Sequence, residues 1–404
     1  MRFDTVIIGG GLSALVCGIE LARNGKRVAV VAKGHSSLHF SSGSFGLYNA
    51  EHPLKAIAEL APTHPYSKIG VERVEALAAK ATEILNVAGV STNGTVEANH
   101  YIMTPTGTLR PCWLSLEGTV TAASDKSLDF KSAAILYPEG FLDFYTQFVS
   151  DELQGLGVNT SLHSFALPEL SIRRNNPTEM RSVAVARALD KEENILALAN
   201  IISHKTGDAE VVIMPAVLGF VKSDVQSRLE KISGKRILTV PTLPPSVEGI
   251  KVERALRTTF ERMGGVIFNG QTVVSYANEE DAVATVTTDK YVTLTAEEFV
   301  LSTGSFIGGG LESDRNSIVE PVFGVDVAAP QGEFTTRDIF EPQPFMSAGV
   351  VTDNSFKALC GGTPIDNLYA CGAILSGFNG VKEGCGAGVA MVTALEVAEN
   401  ILNK

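Results

Sequence analysis

The stretch "FDTVIIGGGLSALVCGIELARNGKRVAVVAKG", residues 3–34, contains the pattern that decides the fold. It begins with an apolar, β-branched run typical of a strand that is buried on both faces, and this run ends in glycine. Apolar residues at near-helical spacing follow, Gly25 stands where a helix would stop, and "RVAVVA" restores the strand pattern. The stretch therefore predicts a strand–helix–strand unit.

Small residues occupy the turn between the first strand and the helix. Gly9 and Gly11 would allow a tight turn and a close approach of the backbone to a phosphate, and Ala14 would allow close helix–strand packing. The N-terminus of the helix would offer free N–H groups and the positive end of the helix dipole. We therefore expect a nucleotide-binding turn; a glycine-rich turn without a ligand is the alternative.

The unit ends in Ala32, where such units usually carry an acid. A carboxylate at the end of the second strand ordinarily accepts hydrogen bonds from the adenosine ribose, and an alanine cannot do so. The sequence therefore predicts a nucleotide site that lacks one of the usual contacts with adenosine.

The composition is that of a globular protein and excludes several functional classes. The chain has 404 residues, 45% of them hydrophobic, which is enough for a large core and two or three domains. The 45 acidic and 33 basic residues give a formal net charge of -12, so we expect no nucleic-acid partner. The five cysteines are scattered, so we expect no metal or iron–sulfur site. The apolar stretch 211–221 is shorter than the ~20 residues that span a bilayer.

A second glycine-rich pattern lies at the other end of the chain. Residues 296–306, "AEEFVLSTGSF", read as a strand from Phe299 to Leu301 that runs into a glycine turn. Residues 367–404, "NLYACGAILSGFNGVKEGCGAGVAMVTALEVAENILNK", predict a short strand, a glycine-rich loop and a terminal amphipathic helix.

These two patterns resemble those of two-dinucleotide-binding-domain flavoproteins. In that fold the first segment closes the nucleotide site, and the second places glycines and a helix N-terminus against the flavin. The resemblance implies flavin contacts at Gly304, Gly372, Gly384 and Gly386. Close packing between neighbouring elements is the alternative for each glycine.

The stretch "HFSSGSFGLYN", residues 39–49, follows the second strand. It resembles the Ser/Gly-rich loop that passes along the flavin in the succinate dehydrogenase and fumarate reductase relatives. The resemblance implies flavin contacts at Ser41, Ser42, Gly43 and Ser44. An ordinary surface loop has the same composition and is the alternative.

Further motifs carry a closer resemblance along essentially the whole chain. They are "HFSSGS", "PTGTLRPCWLS", "LPEL", "RRNNPTEMRSVAVARALD", "PTLPPSVEGIK", "LSTGSF" and "GGLESDRNSIVEPVFGVDV". With these motifs the sequence is similar to the family of B subunits of anaerobic glycerol-3-phosphate dehydrogenase. "PTLPPSVEGI" and the Arg–Asn–Asn segment are far more specific than a glycine fingerprint.

The resemblance implies a flavoprotein subunit of a complex that oxidises sn-glycerol 3-phosphate to dihydroxyacetone phosphate and passes electrons to quinone in anaerobic respiration to fumarate or nitrate. It implies two partners: a catalytic A subunit that contains FAD, and a membrane-associated C subunit that contains iron–sulfur clusters. It credits the B subunit with FMN, with FAD as the alternative. It also implies a peripheral place at the cytoplasmic face of the inner membrane, and solubility in isolation.

An alternative function stays open, that of a non-catalytic electron-transfer or assembly subunit with a degenerate flavin site. Two departures from the flavoprotein pattern bear on it: Ala32, and Ala373 where this fold commonly has Asp or Glu. At both positions an acid that usually contacts FAD is missing. This agrees with FMN as the cofactor, although backbone amides could still bind FAD.

Catalytic residues are less clearly marked than the glycines. Hydride transfer from C2 of glycerol 3-phosphate needs a base near the hydroxyl and cations for the phosphate. His39, beside the Ser/Gly loop, is the candidate base, and Arg110 and Arg315 are candidate phosphate ligands. A loop-anchoring role for His39 and ordinary surface ion pairs for the arginines are the alternatives.

We therefore expect an α/β, Rossmann-like fold of the two-dinucleotide-binding-domain type, similar to the succinate dehydrogenase and fumarate reductase flavoproteins, with an inserted α/β capping domain. Residues 1–50, 235–310 and 350–404 are expected to form a discontinuous flavin domain. Residues 51–234 with 311–349 are expected to form a capping, substrate or docking region. The stretch 210–245, which overlaps the end of that region, has its own strand–helix–strand pattern.

Overall fold

The computed structural model describes residues 1–280 and 282–404. The chain divides into two compact units, and each unit combines segments that are distant in sequence. The larger unit consists of Met1–Ser37, Phe45–Val90 and Glu253–Lys404, and the smaller unit of Leu38–Ser44 and Ser91–Val252.

The described chain contains both α-helices and β-strands, and strands predominate in residues 92–138 and 266–370. The α-helices of the described residues are α1 (Leu12–Arg23), α2 (Pro53–Ile57), α3 (Pro65–Ile69), α4 (Val71–Val87), α5 (Thr146–Gly155), α6 (Pro168–Arg173), α7 (Ser182–Ala188), α8 (Glu192–Lys205), α9 (Val225–Ser233), α10 (Val247–Arg262) and α11 (Gly386–Leu402). The strands are β1 (Thr5–Ile8), β2 (Val28–Ala32), β3 (Ser44–Phe45), β4 (Thr92–Asn93), β5 (His100–Met103), β6 (Leu109–Cys112), β7 (Leu114–Leu116), β8 (Thr121–Ala122), β9 (Ser132–Pro138), β10 (Asn159–Phe165), β11 (Val211–Pro215), β12 (Arg236–Val240), β13 (Val266–Asn269), β14 (Val273–Glu279), β15 (Ala282–Thr288), β16 (Thr293–Thr295), β17 (Glu298–Leu301), β18 (Glu312–Ser313), β19 (Ile318–Val319), β20 (Val327–Ala328), β21 (Gly349–Val350), β22 (Lys357–Cys360) and β23 (Thr363–Ala370). Each described helix is too short or too polar to cross a bilayer.

A six-stranded sheet forms the centre of the larger unit, in the order β13-β2-β1-β17-β23-β22. All neighbours are parallel except β22 and β23, which are antiparallel. Ile8 at the end of β1 lies opposite Val31 of β2 on one side and Leu301 of β17 on the other. The chain order therefore reverses at β1, and ligands of open parallel sheets bind outside the carboxyl ends of the strands at such a point.

The opening strand–helix–strand unit has the form that the sequence predicts. All residues of β1 and β2 are buried, as expected for strands covered on both faces. Helix α1 ends at Arg23, and Gly25 follows with a φ of +84°. The helix packs against α11 and α4, so the start and the end of the chain meet in one layer.

Ion pairs join the three helices of this layer. Glu20 of α1 is only 2% exposed and lies 2.6 Å from Arg23 Nε and 2.8 Å from Lys80 Nζ of α4. Lys80 also lies 2.7 Å from Glu399 Oε1 of α11. A buried carboxylate is costly unless it is paired, so Lys80 offsets the desolvation of Glu20 while it links α4 to both neighbours.

We predict that Lys80→Ala lowers the free energy of unfolding by about 2 kcal/mol, because it removes a charged hydrogen bond from the buried Glu20 carboxylate. Chemical denaturation would measure the change. Arg2→Ala is the matched control, since the Arg2–Glu297 pair is 3.5 Å apart with both side chains exposed, and should change stability by less than about 0.5 kcal/mol. Equal effects of the two substitutions would contradict this account.

A four-stranded parallel sheet, β10-β9-β11-β12, forms the centre of the smaller unit. Alternate residues of β11 enter two separate cores: Val212 and Met214 pack with side chains of α6 to α9, whereas Val211 and Ile213 pack with side chains of α5. Both faces of the sheet are therefore covered. The strand–helix–strand pattern of 210–245 forms β11, α9 and β12, which confirms that expectation.

The two compact units differ in their bounds from the domains expected from the sequence. Residues 51–90 and 311–349 lie in the larger unit, whereas residues 38–44 and 235–252 lie in the smaller one. Helix α4 accounts for part of the difference, because it packs on α1 and α11 beside the six-stranded sheet. The functional division into flavin and capping domains stays a prediction.

Candidate functional site

The glycine turn after β1 is held between β2 and β17. Gly9 N–H donates to Val31 O at 2.9 Å, and Ser302 N–H donates to Ile8 O at 2.8 Å. Gly9 has a φ of +121°, and a Cβ on it would lie 2.0 Å from Ser302 O. Gly9 is therefore required by the close approach of two strand ends, whether or not a ligand is bound.

Gly11 has a different environment from Gly9. It is the N-cap of α1, no side chain caps this helix end, and a Cβ on Gly11 would have no atom within 4 Å. The first N–H groups of a helix have no partners within the helix. Open space beside them is where a phosphate fits. Ala14 is fully buried in the same helix, as the close packing of helix on sheet requires.

Ala32 is packed against this turn. Its side chain is 1% exposed, and its Cβ lies 2.6 Å from the position that a Cβ on Gly10 would take. The place of the usual ribose-binding acid is therefore beside the glycine turn, and it holds a methyl group that cannot accept a hydrogen bond.

Gly372 follows β23, and its neighbours are Ser13 of α1 and Ala390 of α11. A Cβ on Gly372, whose φ is +79°, would lie 2.4 Å from Ser13 Oγ, and its N–H donates to Thr393 Oγ1 at 2.9 Å. Ser13 Oγ in turn lies 2.6 Å from Ser302 Oγ. Close packing accounts for this glycine. Gly304, with a φ of +93°, forms the turn after β17.

The N-terminus of α11 forms a second uncapped helix end. Cys385 is the N-cap, no side chain caps the helix, and a Cβ on Gly386 would have only Gly380 O within 4 Å, at 3.8 Å. Gly384 has a φ of +59° and packs against Asn49. Two long helices of the larger unit, α1 and α11, thus pack together and each begins at an uncapped glycine-rich turn beside open space.

A family model described as "FAD binding domain" matches residues 4–389, a range that includes both glycine-rich turns. Relatives named as the B subunit of anaerobic glycerol-3-phosphate dehydrogenase include proteins of Pectobacterium carotovorum, 40% identical over 417 residues, and Pectobacterium atrosepticum, 41% identical over 418 residues. The Yersinia pestis relative is 38% identical over 420 residues. Each alignment covers 100% of this chain and 99% of the relative.

The chain belongs to this family. Members of the family are named as dehydrogenase subunits, so their name denotes part of a larger complex, and the FAD binding domain is that of flavin-dependent oxidoreductases. The expected family, fold class and flavoprotein character are confirmed.

Solved structures with a similar chain trace include two steroid dehydrogenases. The 3-ketosteroid delta1-dehydrogenase of Sterolibacterium denitrificans is 12% identical, with a TM-score of 0.43 and coverage of 100% of both chains. The 3-ketosteroid-delta4-(5alpha)-dehydrogenase of Rhodococcus jostii RHA1 is 11% identical, with a TM-score of 0.38 and coverage of 100% of this chain and 97% of that one. These likenesses are too weak to bear on function.

The residues present fit a flavin. The open positions at Gly11 and Gly386 leave two sets of uncapped helix N–H groups, which suit the phosphate and an anionic edge of the ring system. Thr303 Oγ1, beside the turn at Gly304, is buried and has no hydrogen-bond partner among the described residues. An unsatisfied buried hydroxyl in a binding region is consistent with a missing ligand.

A buried cluster that the sequence did not reveal lies beside the N-terminus of α11. His64 is 3% exposed; its Nδ1 accepts a hydrogen bond from Tyr66 N–H at 3.0 Å, and its Nε2 lies 3.1 Å from Glu383 Oε2. Because Nδ1 is an acceptor, the ring proton is on Nε2 and is donated to Glu383. The Cys385 thiol also points to Glu383 Oε2, at 3.6 Å.

The ligand atoms of His64, Glu383 and Cys385 lie within 4.8 Å of one another, a spacing that a metal ion could bridge. The tautomer of His64 opposes this. A neutral histidine that binds a metal through Nε2 carries its proton on Nδ1, where the Tyr66 N–H would then face another donor. We therefore interpret the group as a hydrogen-bonded cluster.

The carboxylate of Glu383 is held in its ionised form. Burial raises the pKa of Glu383, but hydrogen bonds from His64 and from Asn379 N–H lower that pKa below its usual value overall. Burial raises the pKa of the Cys385 thiol, and the charge of Glu383 raises it further. Burial and then the same charge also raise the pKa of Tyr48. Glu383 is thus a fixed negative charge that affects the ionisation of the neighbouring Cys385 and Tyr48 side chains.

The Ser/Gly loop lies in the smaller unit and is tightly packed there. Gly43 N–H donates to Ser41 Oγ at 3.2 Å, and the hydroxyls of Ser42 and Ser44 are 2.7 Å apart. A Cβ on Gly43 would lie 2.6 Å from the side chain of Leu116. The contacts of this loop with a flavin stay a prediction.

The three candidate catalytic residues lie in different elements of the chain. His39 is half-buried in the smaller unit, and its carbonyl accepts a hydrogen bond from Ser246 N–H at 2.7 Å. Arg110 is exposed on β6, and Arg315 is exposed in the turn between β18 and β19 of the larger unit. Their catalytic roles stay predictions.

We predict that Gly11→Val abolishes flavin binding and leaves the fold intact, because the new side chain would enter space that is open in the protein alone and that a phosphate needs. Gly9→Val should instead unfold the protein, since it collides with the backbone of Ser302. Flavin absorbance and thermal unfolding of each variant would separate the two effects.

Gly34→Ala is the control for this pair. Gly34 is exposed just after β2, and a Cβ on it would meet no atom within 4 Å, so both flavin content and stability should be unchanged. A Gly11→Val protein that retains full flavin content would contradict the assignment of the site.

Proposed function

We propose that this chain is the flavoprotein B subunit of a complex that oxidises sn-glycerol 3-phosphate to dihydroxyacetone phosphate and delivers the electrons to quinone. The full-length identity of about 40% to relatives of that name carries the proposal. The two uncapped helix ends at Gly11 and Gly386 support it, because they offer binding groups to a flavin.

Different residues would bind different parts of the cofactor. The N–H groups at the start of α1 would bind a phosphate, and those at the start of α11 would face the pyrimidine edge of the ring. Gly9 and Gly372 would keep the strand ends close enough for these two helix ends to lie together. A bound flavin supplies the acceptor for hydride from C2 of the substrate and passes the electrons on.

We propose FMN as the cofactor, with FAD as the alternative. Ala32, buried beside the glycine turn, removes an acceptor for the adenosine ribose. Ala373, in the one-turn helix Gly372–Ile374, stands where an acid is common in this fold. FMN has no adenosine, so the missing ribose acceptor at Ala32 does not weaken the binding of FMN.

The substitution Ala32→Glu tests this choice. It should raise the ratio of FAD to FMN bound from an equimolar mixture by about tenfold, because a hydrogen bond to a charged acceptor contributes about 1.5 kcal/mol. Acid release and chromatography would give the ratio. Lys33→Glu adds an acid at the next, exposed position and should leave the ratio unchanged. A wild-type protein that binds FAD in preference to FMN would contradict the proposal.

We propose that the partners are a catalytic A subunit that contains FAD and a membrane-associated C subunit with iron–sulfur clusters. An iron–sulfur relay to quinone needs clustered cysteine ligands, and the scattered cysteines of this chain do not provide such a motif. With these partners the chain would be peripheral at the cytoplasmic face of the inner membrane.

A second candidate function is that of an electron-transfer or assembly subunit whose partner carries out the substrate chemistry. The observation that favours it is the exposure of Arg110 and Arg315, since a phosphate site built for catalysis is ordinarily a concave and partly desolvated one. Both candidates place the chain in the complex, and they differ in where substrate is oxidised; in the second the chain is non-catalytic and its flavin site is degenerate.

We predict that the isolated chain oxidises glycerol 3-phosphate poorly or not at all, whereas the complex does so readily. The two preparations should be compared at equal flavin content, with an artificial acceptor and with anaerobic spectra after addition of millimolar-scale substrate. Flavin reduction by substrate in the isolated chain would overturn this prediction, and His39, Arg110 and Arg315 would then be the first residues to substitute.

A further inference from the structure

The cluster of His64, Glu383 and Cys385 has no role in holding a phosphate, yet it lies at the start of α11. Glu383 is two residues before the N-cap Cys385, and its side chain is 22% exposed. Its Oε2 atom accepts hydrogen bonds from His64 and Cys385, and its Oε1 atom accepts one from Asn379 N–H at 2.9 Å. The carboxylate is therefore fixed in position.

These hydrogen bonds make Glu383 a poor general base. A carboxylate that accepts several hydrogen bonds prefers its charged form, and a proton taken from a substrate would disrupt them. The strength of a base near neutral pH depends on a raised pKa, whereas the pKa of Glu383 is lowered. Glu383 can therefore act on the site through its fixed negative charge and not by accepting a proton.

The location of that charge gives it an electrostatic consequence. The first turn of α11 contains no acidic residue, so its uncapped N–H groups and the helix dipole favour negative charge beside Gly386. Negative charge that develops on a reduced flavin is stabilised by such a helix end and is opposed by a nearby carboxylate. Glu383 and the start of α11 therefore act in opposite directions.

We propose that Glu383 lowers the reduction potential of the flavin bound at the start of α11, and that His64 is the positioning residue that holds the Glu383 carboxylate there. The inference rests on the proposed function, because it needs a flavin in this site. A lowered potential would favour transfer of electrons from this protein to the next acceptor.

Glu383→Gln removes the charge and keeps nearly the same shape. In the flavin-loaded chain it should raise the equilibrium constant for two-electron reduction about tenfold, which corresponds to a potential about 30 mV higher. Equilibration with a reference dye under anaerobic conditions would measure it. Glu51→Gln is the matched control, since Glu51 belongs to an exposed pair with His52 at 4.0 Å, and it should leave the potential unchanged.

Glu383→Asp separates charge from structure. Aspartate keeps the charge on a side chain that is one methylene shorter, so a role that depends on side-chain shape predicts a larger change for Asp than for Gln. The proposal predicts the reverse: the potential of the Asp variant stays close to that of the wild type. An Asp variant that shifts the potential as much as the Gln variant would overturn the proposal.

A further variant covers the case in which Glu383→Gln does not fold. Val381 is 73% exposed and lies two residues before Glu383, so Val381→Lys would place a compensating cation nearby without disturbing a core. It should raise the potential by less than the Gln variant, because solvent and salt screen an exposed charge. A potential unchanged in Val381→Lys and in every folded Glu383 variant would refute the proposal.

The outcomes distinguish this inference from the proposed function. A wild-type chain that binds neither FMN nor FAD would contradict the proposed function itself. A chain that binds flavin with the same potential in the wild type and in Glu383→Gln would leave the flavin site in place and would refute only the role of Glu383.

Discussion

The turn after β1 comes so close to the end of β17 that a Cβ on Gly9 would lie 2.0 Å from Ser302 O. This approach joins the first strand of the chain to a strand near its far end, and the ladder between β1 and β17 continues it. It also fixes the direction in which α1 leaves the sheet. The helix end at Gly11, and with it the candidate phosphate site, depends on this one contact between two backbones.

A similar close approach occurs near the C-terminal end of the chain. Gly372 follows β23, the neighbour of β17, and a Cβ there would meet Ser13 of α1. Helix α11 then packs along α1, and the pairs of Lys80 with Glu20 and Glu399 hold both helices to α4. The two helices that begin at uncapped turns are thus packed together, and each N-terminus favours negative charge.

Charge at these helix ends sets the chemistry that the site can support. Ala32 leaves the first helix end without the usual acid, so the proposed phosphate site has no carboxylate at this position of β2. The second helix end has Glu383 beside it, with its charge fixed by His64. The two helix ends therefore differ, because a fixed carboxylate lies near the second and the acid usual near the first is replaced by alanine.

The sequence by itself determined the local elements and the family. The run 3–34 predicted β1, α1 and β2, because continuous apolar runs and helical spacing report burial within a short window. The pattern of 210–245 predicted β11, α9 and β12 for the same reason. The sequence did not distinguish the roles of Gly9 and Gly11. Only the tertiary structure shows that Gly9 is packed against Ser302, whereas Gly11 faces open space. The bounds of the units differed from expectation because α4 joins α1 and α11 through contacts that no local pattern records. The pair of His64 and Glu383 is separated by 319 positions, so only the tertiary structure, which brings α3 to the start of α11, decided that these two side chains meet.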